Sequence, residues 1–336
     1  MYVWTNKAKN ARYPANHKLP SMNEQTFLEA WNIKFKKRLD KISLAGSPSR
    51  TITRFVFSDD KDNLYTAEGF ACEREDKQIR QTVMLEFLKE NGLESVLPAI
   101  RTVSGGYGVR LDNLFYQVRP FADADSFPDH SHWNQAVYGN IWSEFLLALR
   151  KVSKLPDFPK NSDRNFRFTR YLPILIKELK CRAPGIENRL EPVLESLRDF
   201  LEIEPCLPAF FAHGDFHPGN ILMRNNQIKA VIDWEFSGMK TAGYDAALMI
   251  GCLGIDDSEW MTGPAARTMI GNLIRNRYMP PMALKYFPDL TIAIRLAWLA
   301  EWAELNESAL LERELSFVEL LSARKEKIFG DLATVR

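Results

Sequence analysis

The segment over residues 209–235 constrains the fold of this chain most strongly, because it places polar clusters between apolar runs that favour β-strands. It reads AFFAHGDFHPGNILMRNNQIKAVIDWE. The Asn-Asn pair between ILM and IKAVI is typical of a hairpin turn. Since apolar strands flank both polar clusters, we expect Asp215, Asn220 and Asp233 to emerge together at one edge of a packed hairpin.

Three oxygen-bearing side chains held this close indicate a bound cation, because neighbouring carboxylates repel each other unless a positive charge lies between them. Amide and carboxylate oxygens are hard ligands that suit Mg²⁺, which is normally shared with substrate phosphates. Asn220 and Asp233 then hold the metal, and Asp215 is left to accept a proton from a hydroxyl group. Phosphoryl transfer requires this division of labour. The offset between Asp215 and Asn220 is also that of the catalytic Asp and metal-binding Asn in the protein-kinase pattern H-R-D-x-x-x-x-N.

The rest of the chain divides into a sheet-rich first part and a helical second part. Residues 50–71 alternate β-branched and aromatic residues around a turn-forming run, which predicts a β-hairpin, and residues 114–121 predict a further strand. Beyond about residue 123, long amphipathic helices dominate. The expected fold class is α+β in two lobes, a small antiparallel-sheet N-lobe and a larger, mostly helical C-lobe. A helix is predicted over 75–92, with an apolar repeat at Ile79, Val83 and Phe87.

We predict three segments along the chain. Residues 1–40 form a basic N-terminal extension, residues 41–122 form the N-lobe, and residues 123–336 form the C-lobe. The first 50 residues hold ten Lys or Arg against three Asp or Glu, and we interpret the cluster KFKKR at 34–38 as a solvated helix face. Within the lobes, the expected functional segments are a hinge at 119–122, a catalytic loop at 213–220 and a metal segment at 231–235.

Charge and cysteine content argue against several classes of function. The 44 basic and 43 acidic residues leave a net charge of +1, so no overall field favours nucleic acid or a membrane surface. The four cysteines are widely spaced, which argues against a disulfide framework and a zinc ribbon. The longest apolar run, 246–255, is too short to cross a bilayer, and the first ten residues lack the apolar core of a signal peptide. We expect a cytoplasmic protein, and the oligomeric state does not follow from the sequence.

The two polar clusters resemble the signature of a known enzyme family. HGDFHPGN at 213–220 is similar to the H-G-D-x-H-x-x-N loop of the aminoglycoside phosphotransferase and choline kinase-like family. I-D-W-E resembles that family's metal segment, and YDAA at 244–247 resembles its Y-D-L-A helix start, so the likeness covers residues 41 to about 325. It implies a protein-kinase-like fold. It also implies transfer of the γ-phosphoryl group of ATP, with Mg²⁺, to a hydroxyl of a sugar, an amino-sugar, an aminoglycoside or an amino-alcohol.

The resemblance also implies roles for individual residues. Asp215 corresponds to the catalytic base, and His213 corresponds to a residue that organises the loop. Asn220 and Asp233 correspond to the Mg²⁺ ligands. His217 follows Asp215 by two residues, where its side chain either reaches the transferring phosphoryl group or has a structural role.

Two upstream segments resemble the nucleotide site of the family. LAGSPSRTITRF at 44–55 is similar to a loop in which glycine allows close backbone approach and hydroxyl groups bind phosphate. RPFA at 119–122 resembles the hinge that binds adenine through its backbone; because Pro120 has no N–H, the expected donor is Ala122. The candidate nucleotide-binding residues are therefore Gly46, Ser47, Ser49, Arg54, Phe121 and Ala122.

One position departs from the family. Glu68 stands where kinases place a phosphate-pairing lysine on the third strand, and a carboxylate there repels ATP phosphates unless a metal or an arginine intervenes. In kinases a glutamate on the following helix pairs with this lysine, and here that glutamate is either Glu75 or Glu86. The alternatives are a shifted hairpin register, loss of nucleotide binding, or a substitute cation from Arg54, Lys61 or Arg74.

The leading hypothesis is a small-molecule kinase whose acceptor pocket lies between Asp215 and the C-terminal helices. Glu301 and aromatic side chains there suit a cationic amine or a sugar, although tryptophans at this spacing are also typical of a core. Glu235 either supports the metal or faces the acceptor. The candidate acceptor residues are Glu235, Trp298, Glu301 and Trp302.

Two hypotheses from other classes remain beside it. Glu68 in the lysine position suggests a non-catalytic, kinase-shaped binding protein. A metallohydrolase is the third hypothesis, with zinc held by His213, Asp215 and His217, but it leaves the spacing of the downstream Asn and Asp unexplained.

Overall fold

The computed structural model describes residues 27–42, 44, 51–125, 133–159 and 165–333. Its first part contains five strands, β1 Phe35–Arg38, β2 Thr53–Asp59, β3 Leu64–Ala71, β4 Val109–Leu111 and β5 Leu114–Pro120. They form one antiparallel sheet in the order β1-β2-β3-β5-β4. In β2 and β3 the alternation of β-branched and aromatic residues with polar ones is typical of a half-buried sheet, which is why this hairpin could be predicted.

The hairpin formed by β2 and β3 places two side chains of opposite charge, Arg54 and Glu68, next to each other. Its turn is closed by Asp59, whose carboxylate accepts a hydrogen bond from the Asn63 N–H at 2.8 Å. The register places Arg54 directly opposite Glu68. Directly paired residues of antiparallel strands project from the same face, so these two opposite charges lie side by side.

Helix α1, Glu75–Glu90, forms where it was predicted, but a different side of it is buried. The predicted repeat of Ile79, Val83 and Phe87 is not the buried face, since Val83 is 36% exposed and the other two are half-buried. The helix lies between two partners: Thr82 accepts a hydrogen bond from Gln117 of β5 at 3.2 Å, while other residues join the core of the helical part. Helix α1 therefore packs through two of its sides and not through the single apolar stripe that the sequence predicted. The core residues are Met84, Leu85 and Leu88.

Helices build most of the second part. They are α2 Ala136–Val152, α3 Phe168–Arg182, α4 Ile186–Ser196, α5 Arg198–Ile203, α6 Tyr244–Asp256, α7 Pro264–Arg275, α8 Pro281–Lys285, α9 Phe287–Glu304 and α10 Ser308–Ala333, which is kinked at Arg324. The amphipathic sequence over 186–203 forms two helices, α4 and α5, joined at Leu197. Helix α6 is buried along nearly its whole length and packs against α9.

Two small antiparallel sheets lie among these helices and carry the polar clusters. Strand β6, Ala209–Ala212, pairs with β9, Gly238–Thr241, and strand β7, Ile221–Arg224, pairs with β8, Gln227–Val231. Asn225 and Asn226 both have positive φ, 52° and 55°, as the predicted tight hairpin requires. The loop 213–220 therefore joins the two sheets.

The α+β fold class, with an antiparallel sheet first and helices after it, is confirmed. One detail is corrected: KFKKR is not a helix face, because Phe35–Arg38 forms β1 and pairs with β2. The sheet therefore includes residues before position 41. The domain boundaries themselves stay a prediction. In the part of the chain that the structure describes, no helix has both the length and the apolar character needed to cross a membrane.

Candidate active site

Backbone hydrogen bonds bring the two polar clusters together. The loop 213–220 follows β6, and residues 232–237 follow β8. The Ile232 N–H donates to the carbonyl of Asn220 at 2.9 Å, and the His213 ring lies 2.9 Å from the carbonyl of Ile232 through its Nε2. These bonds place Asp233, the next residue, beside the loop that carries Asp215. The juxtaposition expected from the sequence therefore forms.

His213 fixes the loop in a neutral state. Its Nδ1 accepts a hydrogen bond from the Asp215 N–H at 3.1 Å, so its Nε2 carries the proton and donates to the Ile232 carbonyl. The ring is fully buried, and burial lowers the pKa of His213 to about 4 in spite of the nearby Asp215 charge. His213 thus organises the loop and is not placed to carry protons.

Asp215 is held as an ionised carboxylate. Burial by itself raises the pKa of this group, but His217, His213 and a hydrogen bond from Asn220 outweigh it, and the pKa lies below its usual value. The Asn220 Nδ2 donates to Asp215 Oδ2 at 2.8 Å and to its carbonyl at 3.0 Å. The His217 Nε2 lies 3.6 Å from the same Oδ2. The carboxylate therefore has a fixed orientation and a negative charge near neutral pH.

His217 is also oriented by the loop. It is 7% exposed, and its Nδ1 accepts a hydrogen bond from the Gly219 N–H at 3.1 Å, which closes a short turn over Pro218–Asn220. This bond leaves the proton of a neutral ring on Nε2, the atom that faces Asp215. The ring therefore shapes the loop and lies beside the Asp215 carboxylate, which favours the structural role among the two that the sequence left open for His217.

Asp233, two residues beyond the end of β8, has an unusual backbone conformation. Its φ of 67° and ψ of 54° lie in the left-handed region, which asparagine and aspartate tolerate best among residues with a side chain. Because the Nδ2 of Asn220 is used on Asp215, the amide oxygen is its remaining polar atom. An amide oxygen on the loop and a carboxylate on the adjoining segment are the kinds of oxygen ligand that a hard divalent cation accepts.

The same geometry disfavours the zinc hypothesis. Both ring nitrogens of His213 are engaged within the protein, and Nδ1 of His217 is engaged as well. Within residues 27–333, as far as they are described, no group of three or more His, Cys, Asp or Glu side chains is arranged to hold a metal ion. A ligand set of His213, Asp215 and His217 is therefore not formed.

Asp245 is a functional residue that the sequence reasoning missed, although its YDAA motif was noted. It is fully buried at the start of α6, where its two oxygens accept hydrogen bonds from the backbone N–H groups of His213 at 2.7 Å and Gly214 at 2.8 Å. Burial raises the pKa of Asp245 to about 6, against the effect of these two donors. The available signal was a lone carboxylate at the start of an otherwise apolar helix, since a buried carboxylate requires donors.

We expect Asp245→Ala to lower the free energy of unfolding by about 2–4 kcal/mol, because two buried N–H groups lose their acceptor. Urea unfolding followed by circular dichroism measures the change. Asp199→Ala, at an exposed position of α5, is the matched control and should change stability by less than about 0.5 kcal/mol. If the two variants unfold alike, Asp245 does not anchor the loop.

Two arginines from the sheet-rich part face the carboxylates of the metal segment. Arg54 lies near both Glu68 and Asp233; burial lowers the pKa of its guanidinium, and the two carboxylates oppose that effect. The Arg74 Nη2 lies 3.9 Å from Glu235 Oε2. Two of the three cations considered as substitutes for the lysine therefore lie near the metal segment, and Arg54 is the one near Asp233, the expected metal ligand.

The repulsion expected from Glu68 is compensated. Arg119 donates to Glu68 Oε2 at 3.3 Å and is itself held by the Leu97 carbonyl at 2.9 Å. Neither candidate helix glutamate faces this position, because Glu75 pairs with Arg110 and Glu86 pairs with Arg101. Glu68 therefore pairs with Arg119 and lies opposite Arg54 in the strand register.

The candidate hinge has one open donor. The Phe121 N–H donates to the Leu64 carbonyl at 3.0 Å, so Phe121 is engaged in the sheet and cannot offer its N–H to a base. The Ala122 N–H meets no acceptor among residues that the structure describes, which agrees with Ala122 as the expected donor. Of the other candidate nucleotide-binding residues, Gly46, Ser47 and Ser49 lie outside the described residues.

The tryptophans proposed for the acceptor have packing partners. Trp298 and Trp302 stack with ring centroids 5.8 Å apart, and the Trp302 Nε1 donates to Glu314 Oε2 at 3.4 Å. Glu314 forms a buried ion pair with Arg295, whose guanidinium lies 5.6 Å from the Trp298 ring. Both rings thus cover this ion pair, which is a packing role. Glu301 is exposed and close enough to Tyr171 to help burial raise the pKa of that phenol.

Comparison with known proteins agrees with this geometry. A model of the phosphotransferase enzyme family matches residues 50–283. Comparison with curated protein sequences gives no match. The chain also resembles the structure of amicoumacin kinase hAmiN in complex with AMP-PNP, Ca²⁺ and Ami, at 13% identity and a TM-score of 0.68, over 94% of this chain and 96% of that one.

Two further solved structures show the same fold. An aminoglycoside phosphotransferase from Alicyclobacillus acidocaldarius has 15% identity and a TM-score of 0.62, over 95% of this chain and 96% of that one. The AMP-bound complex of spectinomycin phosphotransferase APH(9)-Ia has 13% identity and a TM-score of 0.61, over 90% of this chain and 98% of that one.

Proposed function

The chain belongs to the phosphotransferase enzyme family, and we propose that it transfers the γ-phosphoryl group of Mg-ATP to a hydroxyl group of a small molecule. The observation that carries this proposal is the fixed, ionised Asp215 beside Asn220 and the metal segment. Solved neighbours bind AMP-PNP with Ca²⁺, or AMP, which supports an adenine nucleotide and a divalent cation as the partners of this site.

In this proposal each polar residue has one task. Asp215 accepts the hydrogen bond and then the proton of the attacking hydroxyl, and Asn220 holds its carboxylate in place. Asp233 and the amide oxygen of Asn220 bind Mg²⁺, which neutralises and aligns the phosphates when it is bound. His213 and Asp245 keep the loop in shape, and their role is positional.

We propose that Arg54 supplies the positive charge that a lysine on the third strand supplies in kinases. Arg54→Met is expected to weaken Mg-ATP binding by about tenfold, since one charge-assisted contact to phosphate is lost. Arg54→Lys should retain part of the affinity, and Arg80→Met, at an exposed position of α1, should retain all of it. Calorimetric titration measures the three affinities. Equal affinity in Arg54→Met and the parent protein excludes this role.

For the acceptor, we propose an alcohol on a sugar, an amino-sugar, an aminoglycoside or an amino-alcohol. The neighbours named above act on or bind antibiotics, which supports this class. The test is an ATP-consumption screen over hexoses, amino-sugars, choline-like alcohols and aminoglycosides, with the phosphorylated product identified by mass spectrometry. Consumption without a phosphorylated acceptor, or no consumption with any acceptor, contradicts the proposal.

The alternative, a non-catalytic binding protein, has lost its main support. It depended on Glu68 as an uncompensated charge, whereas Arg119 and Arg54 both lie against this carboxylate. The contacts that Asp215 makes with Asn220 and His217 also support a catalytic role over binding alone. Calorimetry separates the two functions, because a non-catalytic protein that has lost its nucleotide site does not bind millimolar Mg-ATP.

A further inference from the structure

Lys240, on strand β9, is a buried cation that has no role in the reaction proposed above. It is 7% exposed, and its Nζ lies 4.6 Å from the ring centroid of Phe166 and 4.9 Å from that of Tyr244. The ammonium group forms no hydrogen bond and no ion pair with any residue that the structure describes. Within the described chain it therefore contacts two aromatic faces, and the carboxylates of Asp245 and Asp215 act on it only through space.

Such an arrangement is costly without a further partner. An ammonium group that is nine-tenths buried is normally paired with a carboxylate. The faces of aromatic rings replace only part of the hydration energy that the group loses on burial. Burial lowers the pKa of Lys240 to about 8, and Lys77 lowers it further, although Asp245 and Asp215 act in the opposite direction. Near neutral pH the group still carries most of its charge and has three N–H donors to satisfy.

The position of Lys240 relates it to the catalytic loop. Its Cε lies 2.6 Å from the point where a Cβ on Gly214 would stand, so the aliphatic chain lies directly on the residue before Asp215. Both oxygens of Asp245 are already occupied by the N–H groups of His213 and Gly214. The ammonium group is thus close enough to Asp215 to affect its electrostatics, yet it is not neutralised by either carboxylate.

Resting on the proposed function, we propose that Lys240 is the binding residue for an oxyanion that binds next to Asp215. The oxyanion has two possible sources, a carboxylate or phosphate group on the acceptor, or the phosphoryl group during its transfer. In both cases negatively charged oxygens accept the three N–H donors, while Phe166 and Tyr244 hold the stem and exclude water. Lys77, on α1, adds a second positive charge within electrostatic range.

Binding of inorganic phosphate tests the site without any turnover. Phosphate is expected to raise the Tm of the parent protein and of Lys240→Arg, and to raise the Tm of Lys240→Gln clearly less. Arg54→Met is the matched control, because phosphate held at the nucleotide site depends on Arg54 and phosphate held at Lys240 does not. If Lys240→Gln itself unfolds, Lys240→Met replaces it, since methionine keeps the apolar contacts to the rings. An equal rise in the parent and Lys240→Gln, or no rise in either, overturns the proposal.

Matched acceptors distinguish the two sources. Glycerate and glycerol differ by one carboxylate, as do galacturonate and galactose. If the acceptor supplies the oxyanion, Lys240→Gln lowers kcat/KM for the acidic member of a pair by about tenfold or more and leaves the neutral member unchanged. If the transferring phosphoryl group supplies it, kcat falls equally for both members. Unchanged rates for both overturn the proposal. If the parent protein phosphorylates none of the acceptors, the proposed function is contradicted. The effect of phosphate on the Tm then still tests the role of Lys240.

Discussion

Replacement of Asp215 by alanine is expected to lower kcat by about 1,000-fold and to change the affinity for Mg-ATP by less than about threefold. A positioned general base contributes about 10²–10⁴-fold to a rate, and Asp215 is the carboxylate held at the centre of the loop. Nucleotide binding depends on other residues in our proposal, so the loss should fall on kcat and not on the binding of ATP. Single-turnover rates and calorimetry measure the two quantities separately.

Asp215→Asn is the informative control for this prediction. Asparagine keeps the shape and accepts a hydrogen bond from Asn220 through its oxygen, but it cannot take a proton from the acceptor. Alanine and asparagine should therefore lose similar amounts of activity, while only alanine removes the acceptor of the Asn220 amide. If either variant keeps most of the parent rate, the base is another group and the assignment of Asp215 is wrong.

The parts of the site that follow from the sequence are local in the chain. The offset between Asp215 and Asn220, the tight Asn-Asn turn and the apolar strands around both clusters are all encoded within a few residues. Their geometry is set by strand pairing and turn conformation, which short patterns determine. This is why the meeting of the loop with the metal segment could be predicted, and why the match to a family was specific.

The parts that could not be predicted depend on residues distant in sequence. Asp245 anchors two loop residues that lie 32 and 31 positions before it, and Arg119 compensates Glu68 from two strands further along the chain. The buried face of α1 was predicted wrongly for a similar reason, because the helix packs on two sides and Val83 faces neither of them. Lys240 gave no signal at all, since a lysine in a short strand is usually exposed. Burial and partners of charged residues are properties of the tertiary fold, which no local spacing reports.

Asp233→Ala is expected to remove the dependence of nucleotide binding on Mg²⁺. Asp233 is the one carboxylate of the proposed metal pair, and loss of a charged oxygen ligand should weaken metal-dependent binding by about 100-fold or more. ATP affinity in the variant should then be the same with and without Mg²⁺, at the level of the metal-free parent protein. Calorimetric titrations of ATP with Mg²⁺ or with a chelator give this comparison directly.

Asp233→Asn separates the lost charge from the backbone at this position. The φ of 67° at Asp233 strains alanine by about 1–2 kcal/mol, whereas asparagine tolerates the left-handed region. A strained loop alone would weaken binding only in the alanine variant, and by the same factor with and without Mg²⁺. Loss of a metal ligand weakens binding in both variants, and only when Mg²⁺ is present. If both variants keep the full effect of Mg²⁺ on ATP affinity, the cation is held elsewhere and Asp233 has a structural role.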